Sequence, residues 1–132
     1  MKLPEVAVGA IVVHDDRLLL VRRGRGAAVG LWSVPGGRVE RGETLSEAVV
    51  RELREETALE GVCERFVGWV ERIGPEYHYV ILDFEVTVAA VQAVAGDDAT
   101  DVCWVPVDDV ARWPPVVPGL VEFLAEHAIV TR

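Results

Sequence analysis

The sequence predicts an α/β fold in which a mixed β-sheet carries helices on its faces. Two observations support this class: apolar, β-branched runs typical of strands, and two segments with helical spacing of apolar residues. The chain has 132 residues, 51% of them hydrophobic, so we expect one domain, residues 1–132, with its own core. The predicted strands are 6–13, 17–23, 32–34, 64–73, 77–91 and 103–107. The second strand is expected to pair antiparallel with the first.

The first predicted helix spans residues 45–57. Thr44 and Glu47 form the pattern of a capping box, in which the hydroxyl and the carboxylate satisfy backbone N–H groups at the helix start. Apolar residues then recur every four positions and form a stripe that faces the core. These residues are Leu45, Val49 and Leu53. A second amphipathic helix is predicted at 119–128.

Charge and hydropathy exclude several classes of protein. The net charge is −9, whereas binding of a nucleic-acid polymer needs a basic surface, so we expect no such partner. No apolar run reaches the length of a membrane span, and no signal peptide is recognisable, so we expect a cytoplasmic protein that binds no membrane. Cys63 and Cys103 form no Cys-x-x-Cys pair and are expected to be reduced thiols. A homodimer is left open.

Carboxylates cluster on one face of the helix predicted at 45–57. Glu56 is four residues from Glu52 and Glu55 is three, a spacing at which like charges repel. A cation would relieve this repulsion, and carboxylate ligation without His or Cys favours a hard ion, Mg²⁺ or Mn²⁺. Because such ions usually bind phosphates, the pattern predicts a small phosphorylated substrate.

Residues 37–59 also fit a longer pattern with fixed positions. The pattern is Gly, five residues, Glu, seven residues, Arg-Glu-aliphatic-any-Glu-Glu, any residue, Gly and an aliphatic residue. The matching positions are Gly37, Glu43, Arg51, Glu52, Leu53, Glu55, Glu56 and Leu59. The sequence therefore resembles the Nudix hydrolases. Residues 31–37 are similar to the family's approach to this motif, and residues 103–108 to its late strand.

One position of the motif departs from the family pattern. Ala58 stands where the family has glycine, which allows a left-handed backbone at the end of the helix. Alanine in that conformation costs about 1 kcal/mol. Gly61 is close enough to serve as a displaced helix terminator, so the helix end is open while the carboxylates are unaffected.

The resemblance implies a Nudix-type α/β/α sandwich whose motif forms a loop, a helix and a loop. From the residues, the predicted metal ligands are Glu52, Glu55 and Glu56, and the resemblance adds the backbone carbonyl of Gly36. These glutamates are also the predicted catalytic residues, together with Arg51.

Four arginine and glycine positions have predicted roles around the carboxylates. Arg51 is four residues from both Glu47 and Glu55 and is expected to bridge them. The predicted substrate-binding residues are Arg22, Arg23 and Gly37. Trp32 and Trp104 are interpreted as core residues rather than as platforms for a base.

A carboxylate beyond the direct ligands is needed to take a proton from water. The resemblance allows a glutamate of the motif or an acid of a later loop. The candidates are therefore Glu55 and, in the acidic segment 96–101, Asp97, Asp98 and Asp101.

The predicted function is Mg²⁺-dependent hydrolysis of a phosphoanhydride in a nucleoside diphosphate linked to another group. The products would include a nucleoside monophosphate or a sugar phosphate. Nucleoside triphosphates, oxidised nucleotides, ADP-ribose and nucleotide sugars all remain open as substrates. The alternative is a Nudix-fold binding module without catalysis. In such a module we would expect carboxylate residues of the motif to be missing.

Overall fold

The computed structural model describes residues 3–26 and 28–130. Ala27 lies outside this range, as do the ends of the predicted domain. The described strands are β1 (Glu5–Ile11), β2 (Val13–His14), β3 (Arg17–Arg23), β4 (Trp32–Ser33), β5 (Gly36–Arg38), β6 (Gly61–Ile73), β7 (His78–Val88) and β8 (Ala99–Pro106). The helices are α1 (Leu45–Thr57), a 3₁₀ helix (Val107–Arg112) and α2 (Leu120–Glu126).

The strands form two four-stranded sheets. The first has the order β5-β1-β7-β6 and is mixed, because β1 is parallel to β7 and the other pairs are antiparallel. In the second, β3 lies between β8 on one edge and the short strands β2 and β4 on the other, all antiparallel to it. The predicted mixed sheet is therefore present, with a second sheet beside it.

The first predicted strand divides between the two sheets. Residues up to Ile11 belong to the first sheet, whereas Val13–His14 pairs with the start of β3 across a tight turn. Asp15 and Asp16 form this turn with positive φ angles of 49° and 59°. The expected antiparallel pairing with residues 17–23 is therefore right only for Val13–His14 and wrong for β1.

Helices cover the two faces of the sheets. On one face, Val8 and Leu19 pack with Val49 of α1, and on the other face Ile11 and Leu18 pack in a cluster that includes α2. Alternation along β1 and β3 thus sends neighbouring side chains to opposite layers. This is the predicted α/β/α sandwich.

Helix α1 begins and ends where the sequence predicts. Its capping box is present: the Glu47 N–H donates to Thr44 Oγ1 (3.1 Å) and the Thr44 N–H donates to Glu47 Oε1 (2.9 Å). Ala58 ends the helix with a left-handed backbone, φ 64°. Gly61 instead starts β6, so its expected role as helix terminator is wrong.

The tryptophans predicted to be structural make structural contacts. The ring of Trp32 meets that of Trp113 edge to face at 5.9 Å, and Trp104 donates from Nε1 to the Val91 carbonyl at 2.8 Å. Cys63 and Cys103 are free thiols. None of the helices in the described part of the chain has the length and apolar character needed to cross a membrane.

Candidate active site

The site lies where α1 packs against Gly36 and Gly37, the first two residues of β5. These two glycines, with the bend at Pro35 before them, are called the glycine turn below. Helical spacing puts Glu52 and Glu56 on the face of α1 that points toward this turn, and both are buried, 9% and 1% exposed. Buried carboxylates are rare unless they are paired or bind a metal. Their partners therefore decide what the site can do.

Glu56 is held from two sides. The Gly36 N–H donates to its Oε1 at 2.9 Å, and Arg23 donates from Nη1 to its Oε2. Burial raises the pKa of Glu56 to about 7, although the Arg23 guanidinium and the Gly36 N–H both favour the ionised form. A divalent cation beside this carboxylate would compensate its desolvation, as Arg23 does in part.

Glu52 lies directly against the second glycine of the turn. A Cβ added to Gly37 would come within 2.4 Å of Glu52 Oε2, so only glycine allows this approach. Arg51 donates from Nη1 to Glu52 Oε1 at 2.7 Å. Burial nevertheless raises the pKa of Glu52.

Arg51 organises the acidic side chains of the motif. It donates to both carboxylate oxygens of Glu43, at 2.6 and 2.9 Å, and to Glu55 at 3.1 Å. The hydrogen bonds from Arg51 lower the pKa of Glu43 to about 2. The expected bridge to Glu55 is present, but the expected bridge to Glu47 is wrong, because the Glu47 carboxylate closes the helix cap.

The predicted metal ligands are brought together only in part. Glu52 and Glu56 meet Gly36–Gly37, whereas the Glu55 side chain is 39% exposed and turned toward Arg51. Among the described residues, no three acidic, histidine or cysteine side chains converge into a ready metal site. The donor set is nevertheless all oxygen, as Mg²⁺ and Mn²⁺ prefer, and two of its carboxylates are buried with raised pKa values. A hard divalent ion fits this chemistry. To bind it, Glu52 would turn from Arg51, and Glu56 would turn from Arg23.

The two arginines predicted to bind substrate have different environments. Arg23 donates to Ser33 Oγ and to the Val34 carbonyl, both at 2.9 Å, and lines the cleft beside Glu56. Arg22 is exposed, pairs with Asp101 at 3.9 Å and is not among the residues that line the cleft. The geometry therefore favours Arg23 for contact with a phosphate and gives no support to Arg22.

The three aspartates of the acidic segment 96–101 differ in their position relative to the cleft. Asp97 and Asp98 line the cleft, and Asp98 accepts a hydrogen bond from Arg25 Nε. Asp101 lies within β8, opposite Arg22, rather than in a loop. Of the three candidate bases in this segment, Asp97 and Asp98 are thus placed at the cleft and Asp101 is not.

An open cleft of about 1650 Å³ runs from the motif to the α2 face of the first sheet. It is larger than a typical small-molecule pocket, about 300–1,000 Å³. Its lining includes charged residues that the sequence did not single out. These are Arg38, Arg41, Arg72 and Asp83, together with Glu5, Glu40 and Glu71. Arginines near the motif suit an anionic substrate. The signal missed in the sequence was an acid, Asp83, that follows the apolar run Val80–Leu82 within a strand.

The fold and the site define a class of protein: α/β/α sandwiches that carry an acidic helix against a glycine turn at the mouth of a cleft. The chain belongs to the Nudix family, since the model of the NUDIX domain matches residues 3–126. Members of this family generally use divalent metal ions.

Relatives and solved structures agree with this assignment. An ADP-ribose pyrophosphatase of Methanocaldococcus jannaschii is 38% identical over 100 residues, 74% of this chain and 59% of that protein. A putative 8-oxo-dGTP diphosphatase 2 of Mycobacterium tuberculosis is 32% identical, over 93% of this chain and 89% of the relative. The NUDIX domain of NrtR from Shewanella oneidensis, solved in complex with ADP ribose, is 25% identical with a TM-score of 0.78, over 97% of this chain and 90% of that one. The chain thus spans only 59% of the archaeal relative.

Proposed function

We propose that the chain hydrolyses a phosphoanhydride bond in a nucleoside diphosphate linked to another group, using Mg²⁺ or Mn²⁺. The products would include a nucleoside monophosphate or a sugar phosphate. One observation carries the proposal: the buried pair Glu52 and Glu56 lies against Gly36–Gly37, and Glu52 and both glycines line the cleft. Family membership and the names of the relatives support it.

The proposed metal ligands are Glu52, Glu56 and the Gly36 carbonyl, with Glu55 joining them. When bound, the ion would neutralise phosphate oxygens and help to orient the diphosphate. Arg23, which lies beside Glu56, would bind a phosphate oxygen. Gly37 has no side chain to exclude the phosphates from this corner.

The proposed base is Glu55. Arg51 holds its carboxylate at 3.1 Å while leaving it partly exposed to water, as proton transfer from water requires. Asp97 and Asp98 are the competing candidates, since they line the cleft and Glu55 does not. Glu55→Gln, Asp97→Asn and Asp98→Asn distinguish them: an aspartate that acts as the base should lose turnover with metal affinity nearly unchanged, and loss only in an aspartate variant would exclude Glu55.

Water is the proposed nucleophile, attacking phosphorus directly. The described lining of the cleft includes no cysteine or histidine, and the Ser33 hydroxyl is engaged with Arg23. Covalent catalysis would need a nucleophile within reach of a base. Hydrolysis in ¹⁸O-water should therefore label a phosphoryl product, and simple phosphomonoesters should be poor substrates.

The test is a panel of nucleotides, with products separated by chromatography, in Mg²⁺, in Mn²⁺ and in excess chelator. The panel includes nucleoside triphosphates, oxidised nucleotides, ADP-ribose and nucleotide sugars. We expect release of a nucleoside monophosphate that depends on the metal. Full turnover in chelator would contradict the metal site, and tight binding of a nucleotide without turnover would favour the non-catalytic binding module.

A further inference from the structure

Asp83 is a buried carboxylate that the proposed reaction does not use. It lies on β7, is 4% exposed, and its Oδ1 has no hydrogen-bond partner among the described residues. Burial raises its pKa to about 7, an effect that the charge of Arg72 opposes. A buried polar atom without a partner costs free energy, so its presence calls for a ligand or a function.

Its position joins the Nudix motif to the rest of the cleft. Gly36, Gly9 and Asp83 lie in one row across β5, β1 and β7. A Cβ added to Gly9 would come within 2.0 Å of Asp83 Oδ1, so the carboxylate lies over the bare backbone of β1. Asp83 therefore lines the cleft at a point separated by β1 from the Gly36–Gly37 turn, which meets the proposed catalytic carboxylates.

Arg72 faces the same part of the cleft from β6. Its one hydrogen bond among the described residues goes from Nη1 to the Pro118 carbonyl, at 3.1 Å. Burial lowers the pKa of Arg72 and the charge of Asp83 raises it, but the two side chains do not hydrogen-bond to each other. The residues that line the cleft thus include a carboxylate and a guanidinium with hydrogen-bonding capacity to spare, although the Oδ1 atom of Asp83 is itself covered by the protein.

Apolar side chains complete this end of the cleft. Val70 and Ile81 are paired across β6 and β7, and Leu120 and Phe123 of α2 face the same space. Apolar walls around a few convergent polar groups are the usual form of a site for an organic ligand. A nucleobase has this character, being flat and apolar on its faces, with N–H donors and acceptors on its edge.

We propose that Asp83 determines the base specificity of the substrate: its carboxylate accepts a hydrogen bond from an N–H group of the nucleobase, and Arg72 donates to an acceptor on the same base. The inference rests on the proposed function, since a diphosphate held at the Nudix motif leaves the nucleoside to occupy the cleft beyond it. A base that offers an N–H beside an acceptor satisfies both side chains, whereas a base without that N–H leaves Asp83 unpaired. A site built to hydrogen-bond a ligand group strongly rejects an analogue that lacks the group, because its own buried polar side chain is then left unpaired.

The experiment compares Asp83→Ala with the unchanged protein on the preferred nucleotide, on the same molecule without its base, and on the base methylated at the contacting N–H. The variant should lose about tenfold to a hundredfold in kcat/KM on the nucleotide, the value of a hydrogen bond to a charged group. Its kcat/KM on the baseless compound should be unchanged. The losses in kcat/KM caused by methylation of the base and by Asp83→Ala should not add, because both changes remove the same contact.

A stability measurement separates recognition from a structural role. Asp83→Ala removes a buried carboxylate that lacks a hydrogen bond, so its thermal midpoint should be unchanged or higher. Glu85→Ala is the matched control, since Glu85 lies on the same strand, pairs with Arg65 at 3.1 Å and does not line the cleft. It should leave base preference unaltered.

Several results would overturn the inference. Equal loss on the nucleotide and on the baseless compound, a destabilised or unfolded Asp83→Ala, or additive effects of methylation and substitution would each do so. If the unchanged protein hydrolyses no nucleotide, the proposed function fails separately. Calorimetric binding of the nucleotide and its baseless analogue then tests Asp83 without turnover.

Discussion

Glu56 and its neighbour Glu55 have the same side chain and opposite surroundings. Glu56 is 1% exposed and held by a backbone N–H and an arginine, whereas the side chain of Glu55 is 39% exposed. The 3.6-residue period of α1 produces this difference, because adjacent residues point about 100° apart. Position on the helix therefore gives the proposed ligand Glu56 and the proposed base Glu55 different access to water.

We predict that Glu56→Gln lowers turnover by at least about a hundredfold with the fold intact, and that Glu52→Gln behaves similarly. The amide keeps the shape but loses the charge that would hold the ion, and metal catalysis contributes several kcal/mol. Steady-state kinetics with circular dichroism checks this. Glu60→Gln, at an exposed glutamate just after α1, is the control and should be silent. Near-normal rates in both ligand variants would place the ligands elsewhere.

Arg51→Ala should lower turnover and stability together. The substitution leaves Glu43, Glu52 and Glu55 without their shared donor, at a cost of about 1–3 kcal/mol in the free energy of unfolding. Urea denaturation and kinetics measure the two effects. Arg54→Ala, on the exposed side of the same helix, should change the free energy of unfolding by less than about 0.5 kcal/mol. Lost substrate affinity at unchanged stability would instead make Arg51 a phosphate ligand.

The left-handed backbone of Ala58, which ends α1, offers a site for a stabilising substitution. Ala58→Gly should raise the free energy of unfolding by about 1 kcal/mol, since φ is 64° and glycine carries no penalty there. Thermal or urea denaturation measures the change. Ala111→Gly is the contrast: this alanine is exposed in the 3₁₀ helix without a positive φ, so glycine there should destabilise. Destabilisation by Ala58→Gly would contradict the assigned helix end.

The bounds of α1 could be predicted because their causes are local. Thr44 and Glu47 mark the start of the helix, and the apolar stripe of Leu45, Val49 and Leu53 continues to within one turn of its end. The partner of Arg51 could not be predicted in this way. Glu43 is eight residues away and meets Arg51 because the loop bends back, while Glu47, at the favourable helical spacing, is occupied by the cap.

The pairing of strands was less accessible from sequence because it depends on contacts far apart in the chain. Nothing in residues 6–13 marks the point after Ile11 where the chain leaves one sheet for the other. Asp83 was missed for a related reason. Its carboxylate lies over Gly9 of β1, which is far from it in the sequence.

For the whole molecule, we predict a stability that depends on pH and metal together. The folded-state pKa of Glu56 is raised from 4.5 to about 7, so the folded protein binds more protons than the unfolded chain between these values. The free energy of unfolding of the metal-free protein should therefore fall as pH rises from about 4.5 to 7. Metal binding needs the ionised carboxylate, so stabilisation by Mg²⁺ should grow as pH rises through about 7.

Thermal midpoints across this pH range, with Mg²⁺ or with chelator, check the prediction. Glu56→Gln should remove the part of this pH dependence that comes from Glu56, leave the part that comes from Asp83, whose pKa burial also raises to about 7, and abolish most of the metal effect. Activity should correspondingly be greater at alkaline pH. Equal stabilisation by Mg²⁺ below and above the pKa of Glu56 would show that this carboxylate is not a ligand.

The segment before β8 is hydrogen-bonded to α1 through backbone atoms. The Val94 N–H donates to the Thr57 carbonyl at 2.9 Å, and the Gly96 N–H to the Glu56 carbonyl at 3.1 Å. A Cβ at Gly96 would meet the Glu55 carbonyl at 2.8 Å, so the close approach of this residue to the helix requires glycine. Exchanging a side chain that this segment presents to the cleft leaves both backbone hydrogen bonds to the helix in place.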